Sequence, residues 1–300
     1  MKKVIRFGSR KSLLAVAQTK LLINQLAAAH PEIETELVTM ETSGDRNMKP
    51  FSEASDKFGI KGLFTQELEE ALTNGKIDIA VHSLKDVPMF QNRALPIVAL
   101  SKREDPRDAA VIPQDAQELT FGPIGCSSAR RRLQASALFA GKKVEPVRGN
   151  VITRLRKLDE HEFSMLILAA AGLKRIALEK RIYRYLSVDE MIPAPGQGVL
   201  ACQGRADEDY SYLDSVRDQT TKICANCERT FSAALGGGCT SPVGAYAELR
   251  GGNIFLRGFY ADEAENIYEK GTITGTIEEA GDIALRLAEK LRKGGVFKCR

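Results

Sequence analysis

The chain has 300 residues, 43% hydrophobic and 27% charged, which excludes a mainly disordered state and leaves room for two or three domains with cores of their own. Its 43 basic residues against 39 acidic ones are too mild a surplus to argue nucleic-acid binding, and no apolar run approaches the roughly 20 residues of a membrane-spanning helix. Only three histidines occur, so catalysis resting on several of them is hard to build. Arg6 and Arg10 interrupt any signal-peptide core behind Lys2 and Lys3, so the six cysteines read as free thiols of a cytoplasmic protein.

Val4–Phe7 predicts a short strand, and Gly8-Ser9-Arg10 turns into a helix starting near Ser12, with Leu14, Ala17 and Leu21 on one face. Glu36–Met40 predicts the next strand. Glu41–Lys61 is polar and glycine-containing and predicts a mobile loop. Gly62–Asn74 predicts a helix with Leu63, Leu68, Ala71 and Leu72 as its apolar set. Ile77–Val81 predicts a buried strand, with His82–Pro88 as the loop after it. Further strands are expected at Ile97–Leu100, Ala109–Ile112, Val144–Val147 and Met165–Leu168, and helices at Ala129–Phe139, Val151–Lys157 and Leu173–Tyr185. This alternation predicts an α/β architecture with mostly parallel sheets, whose strand ends usually carry the ligand. Ser101–Arg107 and Ile192–Gly198 read as crossings between two lobes with a hinged cleft, and Val199–Arg217 as a return to the first lobe. Thr220–Leu235 predicts a helix. Val243–Leu249, Ile254–Tyr260 and Ile267–Ile273 follow a hairpin pattern around Gly251-Gly252, and Ile277–Lys293 closes as an amphipathic helix. The expected division is a first lobe of residues 1–100 and 198–218, a second of 101–197, and a small α+β domain of 219–300.

Basic residues gather where strand ends are expected. Arg10, Lys85, the run Ser127-Ser128-Ala129-Arg130-Arg131-Arg132, the run Arg148-Gly149-Asn150, and Thr153-Arg154 combine cationic side chains with Ser or Asn helix caps, a combination suited to carboxylates or phosphates. Each alone also reads as solvated surface charge. Together they favour a ligand with several such groups. Asp86, beside Lys85, reads as a carboxylate that offsets a developing cation or moves a proton, or as a turn cap before Pro88. His82 reads equally as a packed side chain and as a catalytic one. Gly236-Gly237-Gly238 leaves Cys239 on a flexible loop, as a nucleophile, an attachment point or an incidental thiol. Cys224 and Cys227, even with Cys239, lack a fourth ligand, so no metal site is expected. Neither a Walker-type nor a GxGxxG phosphate motif occurs.

Ala80-Val81-His82-Ser83-Leu84-Lys85-Asp86-Val87-Pro88, Ser127–Arg131, Arg148-Gly149-Asn150, Pro195-Gly196-Gln197-Gly198, and Glu228-Arg229 leading to Gly237-Gly238-Cys239 and Pro242 follow one another in this order. Through them the chain resembles, nearly end to end, the porphobilinogen deaminases, also called hydroxymethylbilane synthases. The resemblance implies two lobes like periplasmic binding proteins and a small C-terminal domain. It implies a transferase that adds four porphobilinogen molecules, each losing ammonia, to a dipyrromethane cofactor held by a thioether to Cys239, and then releases hydroxymethylbilane by hydrolysis. It implies Asp86 as the catalytic residue. Around the cofactor it implies Ser83, Lys85, Ser127, Ser128, Arg130 and Arg131, and around the substrate Arg10, Ser12, Arg148, Arg154 and Gln197. Glu41–Lys61 matches the family's mobile loop over the active site, with Lys57 and Lys61 on or beside it. A cytoplasmic monomer with no nucleic-acid or membrane partner is implied as well. Cys126 stands where the family usually has threonine, Ser43 where a basic residue is common, and Ile60 where a glycine is common. Two other readings of the residues are a binding module that captures a polyanion and a thiol or metal protein using Cys224, Cys227 and Cys239.

Overall fold

The computed structural model describes residues 4–42, 65–89, 92–119, 121–237 and 242–294. The chain divides into two compact units, Met1–Glu104 with Val199–Thr221, and Asp105–Gly198 with Lys222–Arg300. The first unit begins with β1 (Val4–Arg10), α1 (Leu13–Ala29), β2 (Glu34–Met40), α2 (Gln66–Thr73), β3 (Ile79–Ser83) and β4 (Ile97–Leu100). The second continues with β5 (Asp108–Val111), β6 (Ile124–Cys126), α3 (Ala129–Leu138), β7 (Val144–Pro146), α4 (Val151–Asp159), β8 (Met165–Ala169), α5 (Ala170–Arg175) and β9 (Arg184–Leu186). After β10 (Leu200–Gln203) in the first unit, the chain ends in the second with α6 (Gln219–Ala234), β11 (Val243–Arg250), β12 (Asn253–Asp262), β13 (Ile267–Thr276) and α7 (Ala280–Arg292).

Two five-stranded sheets share one plan. Their orders are β2-β1-β3-β10-β4 and β7-β6-β8-β5-β9. In each, the first three strands run parallel and the fourth runs antiparallel to both neighbours. The sheets are therefore mixed rather than mostly parallel. The antiparallel strand is the one delivered by a crossing of the chain: β5 follows the first crossing and β10 the second. The third sheet, β11-β12-β13, is an antiparallel meander. Phe231, Cys224 and Cys227 of α6, Ile254 and Leu256 of β12, and Ile283, Leu287 and Leu291 of α7 form its core.

Three local expectations need correction. Helix α1 buries Gln18, Thr19, Leu22 and Leu26, while Leu21 is exposed and Leu14 and Ala17 only half-buried. Its sequence is apolar on nearly every side, so periodicity does not select a face. The sheet does, through Phe7, Ile5 and Val81. Full burial of Leu22 and Leu26 contributes about 1.5–3 kcal/mol each. Strand β3 is shifted toward its C-terminus, so His82 and Ser83 are strand residues, and a 3-10 turn, Leu84–Asp86, follows. Helix α5 stops at Arg175 instead of running to Tyr185. Leu178 N–H closes on Leu173 O at 2.8 Å and Ala177 takes a left-handed φ of 56°, a helix-terminating motif that frees the chain to form β9.

Candidate active site

In sheets of this order the chain leaves β1 toward β2 on one side and β3 toward β4 on the other, and likewise β6 toward β7 and β8 toward β9, an arrangement that leaves a crevice suited to ligands at their carboxyl ends. In the first unit, Arg10 is the last residue of β1. Ser12 caps α1, accepting from Ala15 N at 3.3 Å, a contact that contributes about 1 kcal/mol. Ser83 ends β3, with its Oγ 3.0 Å from Nε2 of Gln18 on α1. The turn that follows is pinned by Leu84 N donating to Val199 O at 2.9 Å and Val87 N to Leu84 O at 3.1 Å. Leu84 and Val87 are buried, so the half-buried Lys85 and Asp86 fall on the other side of the turn. His82, one strand position before Ser83, is buried, and burial pushes its imidazole down to about 4. Its Nε2 contacts Gln203 Oε1 at 3.0 Å. Asp86 favours protonation of this ring and Arg10 opposes it, so the two charged groups act on one buried imidazole.

In the second unit, Ser127 Oγ donates to Val147 O at 2.9 Å. Ser128 caps α3, accepting from Arg131 N at 3.2 Å. Arg130 and Arg131 of the first helical turn are buried. Arg130 donates to Ile192 O at 2.6 Å and to Asp108 Oδ2 at 2.8 Å. Arg131 donates to Asp108 Oδ1 through Nε at 3.1 Å and Nη2 at 2.7 Å. Gln197 Nε2 reaches the same Oδ1 at 2.9 Å and Pro106 O at 2.8 Å. Burial opposes ionisation of Asp108, but Arg130, Arg131 and Gln197 outweigh it and hold the carboxyl well below the usual carboxylate range. Cys126 lies buried at the end of β6, its thiol pushed up by burial against the pull of Arg131 and Arg130.

Arg148 and Arg154 stand beyond β7, a separate strand end. Gly149 has φ +103°, and a Cβ there would lie 2.6 Å from Thr153 Cγ2, so only glycine fits. Asn150 caps α4 through Thr153 N at 2.9 Å, and Arg154 Nε donates to Gly149 O at 2.7 Å. Helix α6 ends with Gly237 N donating to Ser232 O at 2.7 Å and Gly236 at φ +67°, the left-handed ending that suits glycine. Glu228 of α6 is fully buried and accepts from Gly196 N at 2.7 Å and Ala247 N at 2.8 Å, which ties the Pro195–Gly198 segment to the C-terminal sheet. Lys57, Lys61 and Cys239 lie outside the described residues, as do Ser43, Ile60 and most of the Glu41–Lys61 stretch.

The structure thus unites Arg130, Arg131 and Gln197 on Asp108. Asp108 was missed by sequence reasoning, although a lone aspartate leading the apolar run Ala109–Ile112 was a usable signal. Gln18, Gln203 and Glu228 were also missed as site supports, and nothing local marks the first two. Cys224 and Cys227 are core residues, and the Cys227 thiol, pushed up to about 12 by burial, contacts Ala280 O at 3.2 Å. Among the described residues no group of three or more His, Cys, Asp or Glu could hold a metal ion, and no helix is long and apolar enough to cross a membrane.

Each α/β sheet thus carries cations and hydroxyls at its strand ends, an arrangement of the class suited to carboxylated ligands. Residues 5–212 match the family model "Porphobilinogen deaminase, dipyromethane cofactor binding domain", and residues 222–293 match "Porphobilinogen deaminase, C-terminal domain". Porphobilinogen deaminase of Acetivibrio thermocellus is 50% identical over 291 residues, covering 97% of this chain and 98% of its own. That of Ruminiclostridium cellulolyticum is 47% identical over 289 residues, covering 96% and 98%, and that of Carboxydothermus hydrogenoformans 41% over 303 residues, covering 99% and 96%. The chain belongs to the porphobilinogen deaminase family.

Proposed function

We propose that the chain is a transferase that condenses four porphobilinogen molecules in turn, each losing ammonia, and releases hydroxymethylbilane by hydrolysis. The observation that carries this reading is the family match over both parts of the chain. The donor set fits a dipyrromethane, whose rings carry acetate and propionate groups and pyrrole N–H groups. Lys85, Ser83, Ser127, Ser128, Arg130 and Arg131 would hold the carboxylates, with Cys239 as the thioether anchor. When bound, the dipyrromethane supplies the pyrrole carbon on which the chain grows.

Asp86 is the catalytic residue of this reading. Its carboxylate accepts from pyrrole N–H groups and offsets the positive charge that develops as ammonia leaves and the new carbon–carbon bond forms. Arg10, Ser12, Arg148, Arg154 and Gln197 orient the incoming porphobilinogen through its carboxylates. Lys57 and Lys61 would add cationic contacts for the substrate carboxylates. Asp108 leaves the Arg130–Arg131 pair with one net positive charge for a ligand carboxylate. The protein works as a cytoplasmic monomer in three domains, the third carrying Cys239.

Intact-protein mass spectrometry with peptide mapping tests this. A dipyrromethane adduct on Cys239, absent from Cys239→Ser and retained by Cys224→Ser, is the expected result. No adduct after addition of porphobilinogen or hydroxymethylbilane would overturn the carrier role.

A further inference from the structure

A cleft of about 310 Å³ lies between the C-terminal sheet and the turn that follows β9. Side chains alternate across a strand, and Ile254, Leu256 and Gly258 of β12 pack toward α6 and α7. Arg257 therefore stands on the opposite face of the sheet, with Thr272 of β13 directly across from it and Lys270 across from Phe259. Arg257, Lys270 and Thr272 form one wall of the cleft, and Asp189 and Ile192 form the other.

Both walls are fixed by their own bonds. Ser187 N donates to Glu190 Oε2 at 2.8 Å and Glu190 N to Ser187 Oγ at 3.2 Å, a reciprocal cap that sets the turn carrying Asp189. Gln134 pairs with both backbone groups of Ile192, accepting from N at 2.9 Å and donating to O at 3.0 Å. The Arg257 side chain is only 6% exposed, and its guanidinium lies 4.6 Å from the Phe255 ring centroid. It donates through Nε to Asp189 Oδ1 at 2.5 Å and through Nη1 to Glu248 Oε1 at 2.7 Å, leaving Nη2 outside both bonds. Lys270 Nζ is tethered to Glu190 O at 3.0 Å and keeps two further N–H donors. Asp189 is 70% exposed, and its Oδ2 takes no part in the bond to Arg257.

Arg257 and Lys270 balance Asp189 and Glu248, so the cleft carries separated charges that sum to zero. A plain anion there meets Asp189, and a plain cation meets Arg257 and Lys270. A molecule with an amine at one end and a carboxylate at the other finds opposite charge at both. We propose that this cleft binds a small zwitterionic amino carboxylate, its carboxylate on Arg257 Nη2, Lys270 Nζ and the Thr272 hydroxyl, its amine on Asp189, and its carbon chain against Ile192. Because the walls are ordered beforehand, little ordering cost opposes binding. The site shares no residue with the one proposed for porphobilinogen. It adjoins the Asp108 cluster all the same, since Ile192 O also accepts Arg130 Nη1 at 2.6 Å.

Amide NMR titration of the full chain with 4-aminobutyrate, butyrate and butylamine is the test. The amides of Ile192 and Thr272 are expected to shift with 4-aminobutyrate, at an affinity at least about tenfold above that of either singly charged analogue. Lys270→Met and Asp189→Asn change exposed side chains, and each is expected to weaken that binding at least about tenfold. Butyrate binding as tightly as 4-aminobutyrate would make this a plain anion site and overturn the proposal. So would parental affinity in either variant, which would put the ligand elsewhere. Unshifted Ile192 and Thr272 amides with glycine, 4-aminobutyrate and 5-aminopentanoate, each at about 10 mM, would overturn it as well.

Discussion

Asp108 Oδ1 accepts both Nε and Nη2 of Arg131, at 3.1 and 2.7 Å, in a place where the carboxylate is fully buried. The arginine that the sequence offers as a ligand contact is therefore also an internal structural member. Arg130 shares the arrangement through the other carboxylate oxygen. Two cations on one anion, with Gln197 as a neutral third donor, give a preorganised positive centre whose side chains are ordered before any ligand arrives.

Asp108→Asn removes the anion and leaves two buried guanidiniums facing one another. The expected cost is about 3–5 kcal/mol in urea unfolding at neutral pH. The sign of the pH effect follows from a carboxyl whose native pKa is depressed. Its contribution is present above the unfolded-chain value of about 3.9 and is lost as pH falls further. The stability gap between parent and variant should therefore narrow in acid. A gap independent of pH would refute the ion-pair account.

His82 acts in the same direction for another reason. The folded ring titrates at about 4 and the unfolded one at its ordinary 6.5, so the unfolded chain takes up the proton first. Stability is expected to fall as pH drops from 6.5 toward 4, and this part of the slope should be missing in His82→Gln. Parallel denaturation curves across that window give the answer, and equal slopes would contradict it.

Asp86→Asn keeps the size of the side chain and removes its charge. The turn that holds it is fixed by backbone bonds at Leu84 and Val87, not by the carboxylate, so the fold should survive. Turnover is expected to drop by about 10²–10⁴-fold, with a circular dichroism spectrum like that of the parent. A folded variant at parental rate would remove Asp86 from the chemistry.

Gly149→Ala forces a left-handed residue to carry a Cβ against Thr153. The expected cost is about 1–3 kcal/mol. Because Arg154 bonds the Gly149 carbonyl, KM for porphobilinogen should rise more than kcat falls. Steady-state kinetics distinguish this from a general loss of folded protein, which would lower apparent kcat and leave KM alone.

The local parts of this molecule were readable where short-range chemistry decides them. The caps Ser12, Ser128 and Asn150 and strand β4 were legible because each depends on neighbours within a few residues. What escaped depends on partners far along the chain. Asp108 meets residues 22, 23 and 89 positions away, and Gln203 meets His82 across 121. The buried face of α1 escaped because its apolar side chains surround the helix. The early stop of α5 escaped because Ala177 enters a left-handed conformation that alanine rarely adopts.

The fourth strand of each five-stranded sheet has a consequence for synthesis. Every strand of the second sheet, β5 to β9, has been translated by Leu186. The first sheet needs β10, which ends at Gln203, to bridge β3 and β4. A nascent chain leaving the ribosome can thus complete its later-coded sheet before its earlier one, inverting the usual N-terminal-first order. Until then the strand bearing His82 and Ser83 is an open edge, a natural handle for chaperones and a hazard for pairing between chains.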